Sequence, residues 1–220
     1  IDSVGLLQMF NELNAGLRIA GPKKKRRLKK TNFLLGAATT NHKRYEREVM
    51  PQYFKLAQKI KNGAHFIINQ IGYDARKQDE LLRYMRMHSL HAPVIANVFV
   101  LSAGVARYFH AGHIPGVEVT DRLLELCERQ AQSADKGKAF FIELAAQQCA
   151  IARGLGYRGV YLGGHLRYDD YEKIIALSQS YAQDDWRDFA RSIDFAYPDE
   201  FYFFAPDDAT GLSSDRINPD

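Results

Sequence analysis

Short runs of almost continuous apolar residues, closed off by turn formers, alternate along this chain with long stretches in which apolar positions recur every three or four residues. The runs of the first kind are NFLLGAATT (32–40), AHFIINQI (64–71), PVIANVFVLS (93–102) and RGVYLGG (158–164). A strand covered on both faces needs apolar side chains at successive positions, whereas a half-solvated one alternates, so these four read as buried parallel strands. The stretches between them have the helical period. In YEREVMPQYFKLAQKIKNG, Val49, Tyr53, Leu56 and Ile60 share one face and Asn62-Gly63 supplies the stop; Pro51 is tolerable in a first turn, or marks the true start. In DARKQDELLRYMRMHSLH the inward positions are Leu81, Leu82, Met85 and Leu90. Between the third and fourth strands the pattern lengthens into a short helix SAGVARYFHAG, a loop HIPGV, a helix from Thr120 to about Gln132, and another from Lys138 to Arg153 ending at Gly154. Helices over YDDYEKIIALSQSYA and DWRDFARSI follow the fourth strand, and a helical run IDSVGLLQMFNEL precedes the first.

Strands alternating with helices predict an α/β fold with a parallel sheet. Four strand–helix units do not close a parallel barrel, which takes eight, so an open sheet or half of a (β/α)8 barrel is expected. The sequence begins at Ile1 within a helical pattern and ends on the polar string DATGLSSDRINPD, which favours half a barrel carried by a fragment. Residues 1–195 form the barrel part in this reading. Residues 196–220 form a strap or linker, with a disordered tail after about Asp207 as the alternative.

Composition narrows the class. At 220 residues and 46% hydrophobic content the chain can bury a substantial core. No apolar run approaches the roughly 18 residues that cross a bilayer, no secretory signal opens the sequence, and only Cys127 and Cys149 occur, so a cytoplasmic protein without a disulfide is expected. The net charge of +4 is local: GPKKKRRLKK holds Lys23, Lys24, Lys25, Arg26, Arg27, Lys29 and Lys30, and the rest of the chain is near −3. Such a cluster can serve a nuclear-localisation or nucleic-acid function. Its place before a strand, on the side of the sheet away from an active-site mouth, and its lack of interleaved aromatics favour a solvated loop instead, with no nucleic acid as partner.

Chemistry in parallel α/β folds gathers at the C-terminal ends of the strands. Gln70 closes the second strand, and an amide there must find partners or lose its hydration. It suits a ring edge that carries both a donor and an acceptor, though bonding to neighbouring backbone is the plainer role. Gln52, Lys55 and Lys59 share a face of the helix after the first strand, where lysines serve either phosphates or solubility. His88 with His91 and His110 with His113 have metal-compatible spacing but no cysteine or carboxylate partner at ligand spacing, so no metal is expected. His165 follows Gly163-Gly164, where glycines let a ligand approach the backbone.

The strand ending Gly-Ala-Ala in NFLLGAATTNH, the helix ending Lys-Ile-Lys-Asn-Gly-Ala, the strand ending in Gln70 and the following PVIANVFVLS together resemble the second half of the methylenetetrahydrofolate reductase family, over about residues 1–195. The long insertion before the last strand is similar too. The resemblance implies the last four units of a (β/α)8 barrel that binds FAD and passes a hydride from the reduced flavin to 5,10-methylenetetrahydrofolate, a step of one-carbon metabolism that feeds methionine synthesis. It places Gln70 on the pterin and Lys59 near the flavin phosphates. Lys55 and Gln58 fall where the family has phosphate- or ribitol-contacting residues of other types, and Gln52, on the same helix face as Lys55 and Lys59, is a further candidate for the cofactor. Ala37 matches a small residue beside the flavin, His42 lies near a family histidine, and His165 is a further candidate for the cofactor. The family's aromatic that stacks on the folate or nicotinamide has no clear match here; Tyr108, Phe109 and His110 lie close, and Tyr108 or Phe109 is the candidate, against a core or rim role. The family's general-acid carboxylate and flavin-side aspartate belong to segments outside this sequence, so no catalytic residue is assigned and the fragment alone is expected to be inactive. NAD(P)H or an electron-transfer protein would reduce the flavin, and a homo-oligomer is compatible with the sequence. The alternative, from another class, is a non-catalytic module that binds a partner through its basic loop.

Overall fold

The four apolar runs become the four strands of one parallel sheet, ordered β3-β4-β5-β6, in a computed structural model that describes residues 1–20 and 25–219. In chain order the elements are α1 (Ser3–Ala15), a small hairpin of β1 (Arg18–Ala20) and β2 (Lys25–Arg27), β3 (Gly36–Thr39), α2 (Glu46–Lys61), β4 (Phe66–Asn69), α3 (Ala75–Met87) and β5 (Val94–Phe99). There follow α4 (Ala103–His110), α5 (Asp121–Gln130), α6 (Lys138–Leu155), β6 (Gly159–Gly163), α7 (Tyr168–Ser180), α8 (Trp186–Ser192) and a hairpin of β7 (Phe204–Asp207) with β8 (Leu212–Ile217). The fold is α/β with a parallel sheet and helical connections, as the alternation predicts. Among the described residues no helix is long and apolar enough to cross a membrane.

The first strand is shorter than its apolar run. Upstream of β3 side chains satisfy most of the backbone: Asn14 takes the Phe33 N–H on its Oδ1 and donates its Nδ2 to the Phe33 carbonyl, both at 2.9 Å, and the Leu35 N–H donates to His65 Nδ1 at 2.8 Å, while the Leu35 carbonyl accepts from the His65 N–H at 2.7 Å. Burial within the sheet alternates, which differs from the two-faced burial expected of the runs. Ile67, Val94, Ala96 and Val98 are buried beneath the helical layer, while Ile68, Ile95 and Phe99 on the other face are only half-buried and Tyr161 is 59% exposed. Among the described residues no second layer covers that face.

Three helices depart from the sequence reading for identifiable reasons. Pro51 lies inside α2, a turn beyond its Glu46 start. α6 runs through Gly154 and stops at Gly156, whose φ of 97° is the left-handed C-cap conformation. Gly154 serves packing, since a Cβ there would sit 2.2 Å from the Trp186 ring. α3 buries not only Leu81 and Met85 but also Lys77, Gln78, Asp79 and Glu80, because the C-terminal segment covers its polar side; Leu82 and Leu90 are only half-buried.

That cover is specific. Glu80, 0% exposed, accepts from the Tyr53 hydroxyl at 2.8 Å and from the Phe203 N–H at 2.7 Å. Lys77, also 0% exposed, donates to the Phe201 carbonyl and stands 3.8 Å from Glu200. Asp74, the N-cap of α3, accepts from the Arg76 N–H at 2.8 Å and the Tyr202 hydroxyl at 2.6 Å. Residues 212–217 form a strand and not a disordered tail, because the Ser213 N–H donates to Asp79 at 3.1 Å and Arg83 bridges Asp79 and Asp215 at 2.6 and 2.5 Å. At the other end, Lys23 and Lys24 lie outside the described residues. Arg26 and Arg27 belong to a ladder, not to a solvated loop, and Arg27 donates to the Ala15 and Gly16 carbonyls at the end of α1.

Burial raises the pKa of Glu80 and Asp74 and lowers that of Lys77. Glu80→Ala would leave the Tyr53 hydroxyl and the Phe203 and Phe204 N–H groups without an acceptor and remove a negative charge near Lys77, and is expected to cost about 3–5 kcal/mol in urea unfolding. A loss below 1 kcal/mol would mean that the carboxylate is not integral to the fold. Glu200 is pushed up to about 7 by burial, above its ordinary 4.5. A carboxyl raised in the folded state contributes stability that is full below pH 4.5 and is lost as pH rises through 7, by roughly 3 kcal/mol at most. Glu200→Gln should therefore flatten the fall in unfolding free energy across that window, and an unchanged slope would assign the effect to another group.

Candidate functional site

The ends of β4, β5 and β6 meet at a mouth built around Gln70. Its backbone N–H is fixed by the Thr39 carbonyl at 2.8 Å and Asn69 Oδ1 at 3.0 Å. Its side-chain Oε1 accepts from the Ile71 N–H at 3.0 Å and from Asn97 Nδ2 at 3.1 Å. Beside it Ile71, Phe99, Tyr108, Phe109, Ile114 and His165 line an apolar cavity of about 500 Å³. Phe109 is 6% exposed and meets Phe99 edge-on with ring centroids 5.3 Å apart, so it is a wall of this cavity rooted in the core. Tyr108 is 51% exposed and rests against His113, ring centroids 4.7 Å apart, at the open side of the cavity. The α4 helix that carries both begins at Ser102, whose hydroxyl caps the Val105 N–H. Tyr73 braces the mouth from behind, its hydroxyl donating to the Phe99 carbonyl at 3.1 Å.

A second cleft of about 470 Å³ adjoins the first, sharing Val105 and His165. It is basic: Lys136, Lys138 and Arg167 line it together with Asp135 and Asp170, and Lys138 pairs with Asp170 at 2.7 Å. His165 thus stands between an apolar compartment and one lined by charges of both signs.

The remaining predicted positions lie on the opposite edge of the sheet. Ala37 and Lys59 line a cavity of about 500 Å³ between α1 and β3, with Leu6, Phe10 and Phe33. Lys59 is buried, donates to the Ala38 carbonyl at 2.6 Å, and has its pKa lowered by burial and by Lys55. Lys55 is exposed on α2, and Gln52 and Gln58 are half-buried there. His42 is enclosed, 3% exposed and packed so tightly on Gly72 that a Cβ at that glycine would lie 2.1 Å from its ring. Burial pushes its pKa down to about 3, so it is neutral, and its Nε2 has no partner.

Tyr108, Phe109 and His165 therefore line one cavity, which Gln70 adjoins through its neighbour Ile71, while Ala37, Lys59, Lys55, Gln52 and Gln58 flank the β3 edge and His42 belongs to neither. These positions do not by themselves fit a whole FAD. Two lysines on one face of α2 suit a phosphate, but the cavity beside them is apolar and His165 lies across the sheet. Among the described residues no group of three or more His, Cys, Asp or Glu side chains could hold a metal, and His110 is engaged with Asp121 at 2.8 Å. Asn97 escapes the sequence reading. Its signal was available, an amide inside an otherwise apolar strand, 27 residues beyond Gln70.

Comparison with known proteins sets this geometry in a family. No curated protein matches the chain. A solved structure, described as an uncharacterized protein from Clostridium thermocellum that binds two copies of 5-methyl-5,6,7,8-tetrahydrofolic acid, is 18% identical with a TM-score of 0.43. That similarity covers 66% of this chain and 52% of the other, so the chain spans about half the length of that structure. The profile of the family described as Methylenetetrahydrofolate reductase matches residues 39–163, from the last residue of β3 through β6. That is more than half of the 220 residues and takes in Gln70, Asn97, Tyr108 and Phe109. On that match, the chain belongs to the methylenetetrahydrofolate reductase family.

Proposed function

We propose that this chain supplies the folate-facing part of a flavin-dependent reductase that converts 5,10-methylenetetrahydrofolate to 5-methyltetrahydrofolate. The observation that carries the reading is the amide of Gln70, its oxygen held by two donors, next in sequence to Ile71, which lines an apolar cavity of about 500 Å³ together with Tyr108. A pterin is flat, apolar on its faces and polar on its edge, and this pairing of an apolar slot with one fixed amide suits it. The family match adds to this. In the whole protein the sheet would be the last four units of a (β/α)8 barrel over residues 1–195, with residues 196–220 as a strap over α3.

FAD, when bound, would supply the hydride to the folate methylene carbon. The residues here would hold and orient the pterin: Gln70 on its edge, Tyr108 over its face, Phe109 and Ile71 excluding water. No carboxylate lines the apolar cavity among the described residues, so the proton that the departing nitrogen needs is not delivered from this mouth. The chain alone is accordingly expected to bind folate and not to turn it over. Either NAD(P)H or a protein donor is compatible with the site, and a cytoplasmic location fits a folate enzyme.

Two measurements test the reading. The whole protein should purify with flavin absorbance or take up FAD on titration; a colourless protein that binds none removes the flavin part. Gln70→Glu places a charge where a neutral amide sits, and should raise the KM for the folate about tenfold or more while flavin stays bound. Loss of flavin without change in folate KM would put Gln70 on the wrong ligand.

A further inference from the structure

What Gln70 offers a ligand depends on which end of its amide faces the mouth, and its neighbours decide that. The Ile71 backbone N–H can only donate, and it meets the Gln70 oxygen at 3.0 Å. Asn97 meets the same oxygen at 3.1 Å and must do so with its Nδ2. The alignment is imposed by the sheet: the parallel register that sets Ile67 against Val94 and Ile68 against Ile95 continues to Gln70 against Asn97. Two donors thus hold Oε1 inward and leave Nε2, which meets no acceptor among the described residues, as the group presented to the ligand.

Asn97 does this at the expense of its own other end. Its Oδ1 is buried without a hydrogen-bond partner, a destabilising arrangement that an alanine would avoid. An amide retained on an apolar strand despite an orphaned carbonyl has its return in what the other end fixes. We propose that Asn97 is a specificity-determining positioning residue: by holding the Gln70 carbonyl inward it makes the site a hydrogen-bond donor, selecting a ring that carries a carbonyl at that edge, as a 4-oxo pteridine does, over the corresponding 4-amino ring. This rests on the folate reading of the mouth given above.

Folic acid and its 4-amino analogue test it, because they differ at ring position 4 and in the N3 proton that goes with it. Titrated into the full chain, wild type should bind folic acid about tenfold tighter, the effect of setting a ligand donor against a fixed protein donor. Asn97→Asp removes the donor and repels Oε1, which favours the turned amide, and should bring the two ligands to within about twofold; Asn97→Ala leaves the Ile71 N–H on Oε1 and should lower the preference to about threefold, each with an unchanged far-UV circular dichroism spectrum. A general packing role would weaken both ligands equally and leave their ratio in place. If both variants keep the full preference while Gln70→Ala weakens folic acid binding, the role of Asn97 is overturned and the folate reading stands. If wild type binds neither ligand, or Gln70→Ala binds folic acid as wild type does, the folate reading fails and the inference falls with it.

Discussion

Three ionisable side chains on α3, each taken almost wholly out of water, are the constraint on which the rest of the structure hangs. Asp74, Lys77 and Glu80 lie one turn apart on the side of the helix that faces residues 200–204. Burying such groups costs several kcal/mol each unless each finds a partner. Each has one: a tyrosine hydroxyl and a cap N–H for Asp74, a carbonyl and a carboxylate for Lys77, a tyrosine hydroxyl and backbone N–H groups for Glu80. The C-terminal segment can occupy essentially one register, because sliding it would strand charges in a low-dielectric interior. Specificity of position, more than net stability, is what such a network provides.

The same helix transmits that position to the mouth. The Lys77 carbonyl accepts from Asn41 Nδ2 at 2.6 Å, and Asn41 follows β3. The Gln78 carbonyl accepts from the Tyr157 hydroxyl at 3.0 Å, and that hydroxyl in turn takes the Asn69 side chain at 3.3 Å beside Gln70. Tyr53, bonded to Glu80, stacks on Tyr84 at a centroid distance of 3.9 Å and closes the layer between α2 and α3. Buried hydrogen bonds thus run from the charged face of α3 to the ends of two strands. Gln70 is held at its backbone N–H and at its side-chain oxygen, while near the strand ends Asn41 Oδ1, His42 Nε2 and Asn97 Oδ1 are buried without a partner among the described residues.

How much of this was legible in the sequence depended on whether a residue's role was local. Apolar period located all four sheet strands and the helices between them, since those patterns follow from backbone geometry. The polar side of α3 was not legible. Lys77 and Glu80 carry the composition of a solvated helix face, and only residues 124 and 123 positions further on, which accept from Lys77 and donate to Glu80, make them interior. The two small hairpins are not legible in the pattern, because each strand of the first is three residues long and neither hairpin shows a sustained alternation. At the site, Gln70 stood out as a polar group at a strand end, whereas His42 looked equally well placed. Its enclosure depends on Gly72, thirty residues away, offering no side chain to hold the ring off. Asn97 was readable in principle, but its meaning requires the register between β4 and β5, which no single-strand pattern contains.

The open face of the sheet fixes what such a mouth can do. Parallel strands are ordinarily covered on both sides, and here Ile68, Ile95, Phe99 and Tyr161 are left facing outward on one of them. A pterin lying against Gln70 and Tyr108 would have one face on apolar side chains and the other toward water. Recognition tolerates that, since a fixed amide and a one-sided apolar wall already discriminate ring edges. Transfer of a hydride does not, because stabilising charge as it develops requires preorganised dipoles with water shut out. On the folate reading, binding and chemistry therefore divide along the sheet: the strand ends described here choose the ring, and the layer that would complete the barrel must dry the site before the reaction can run.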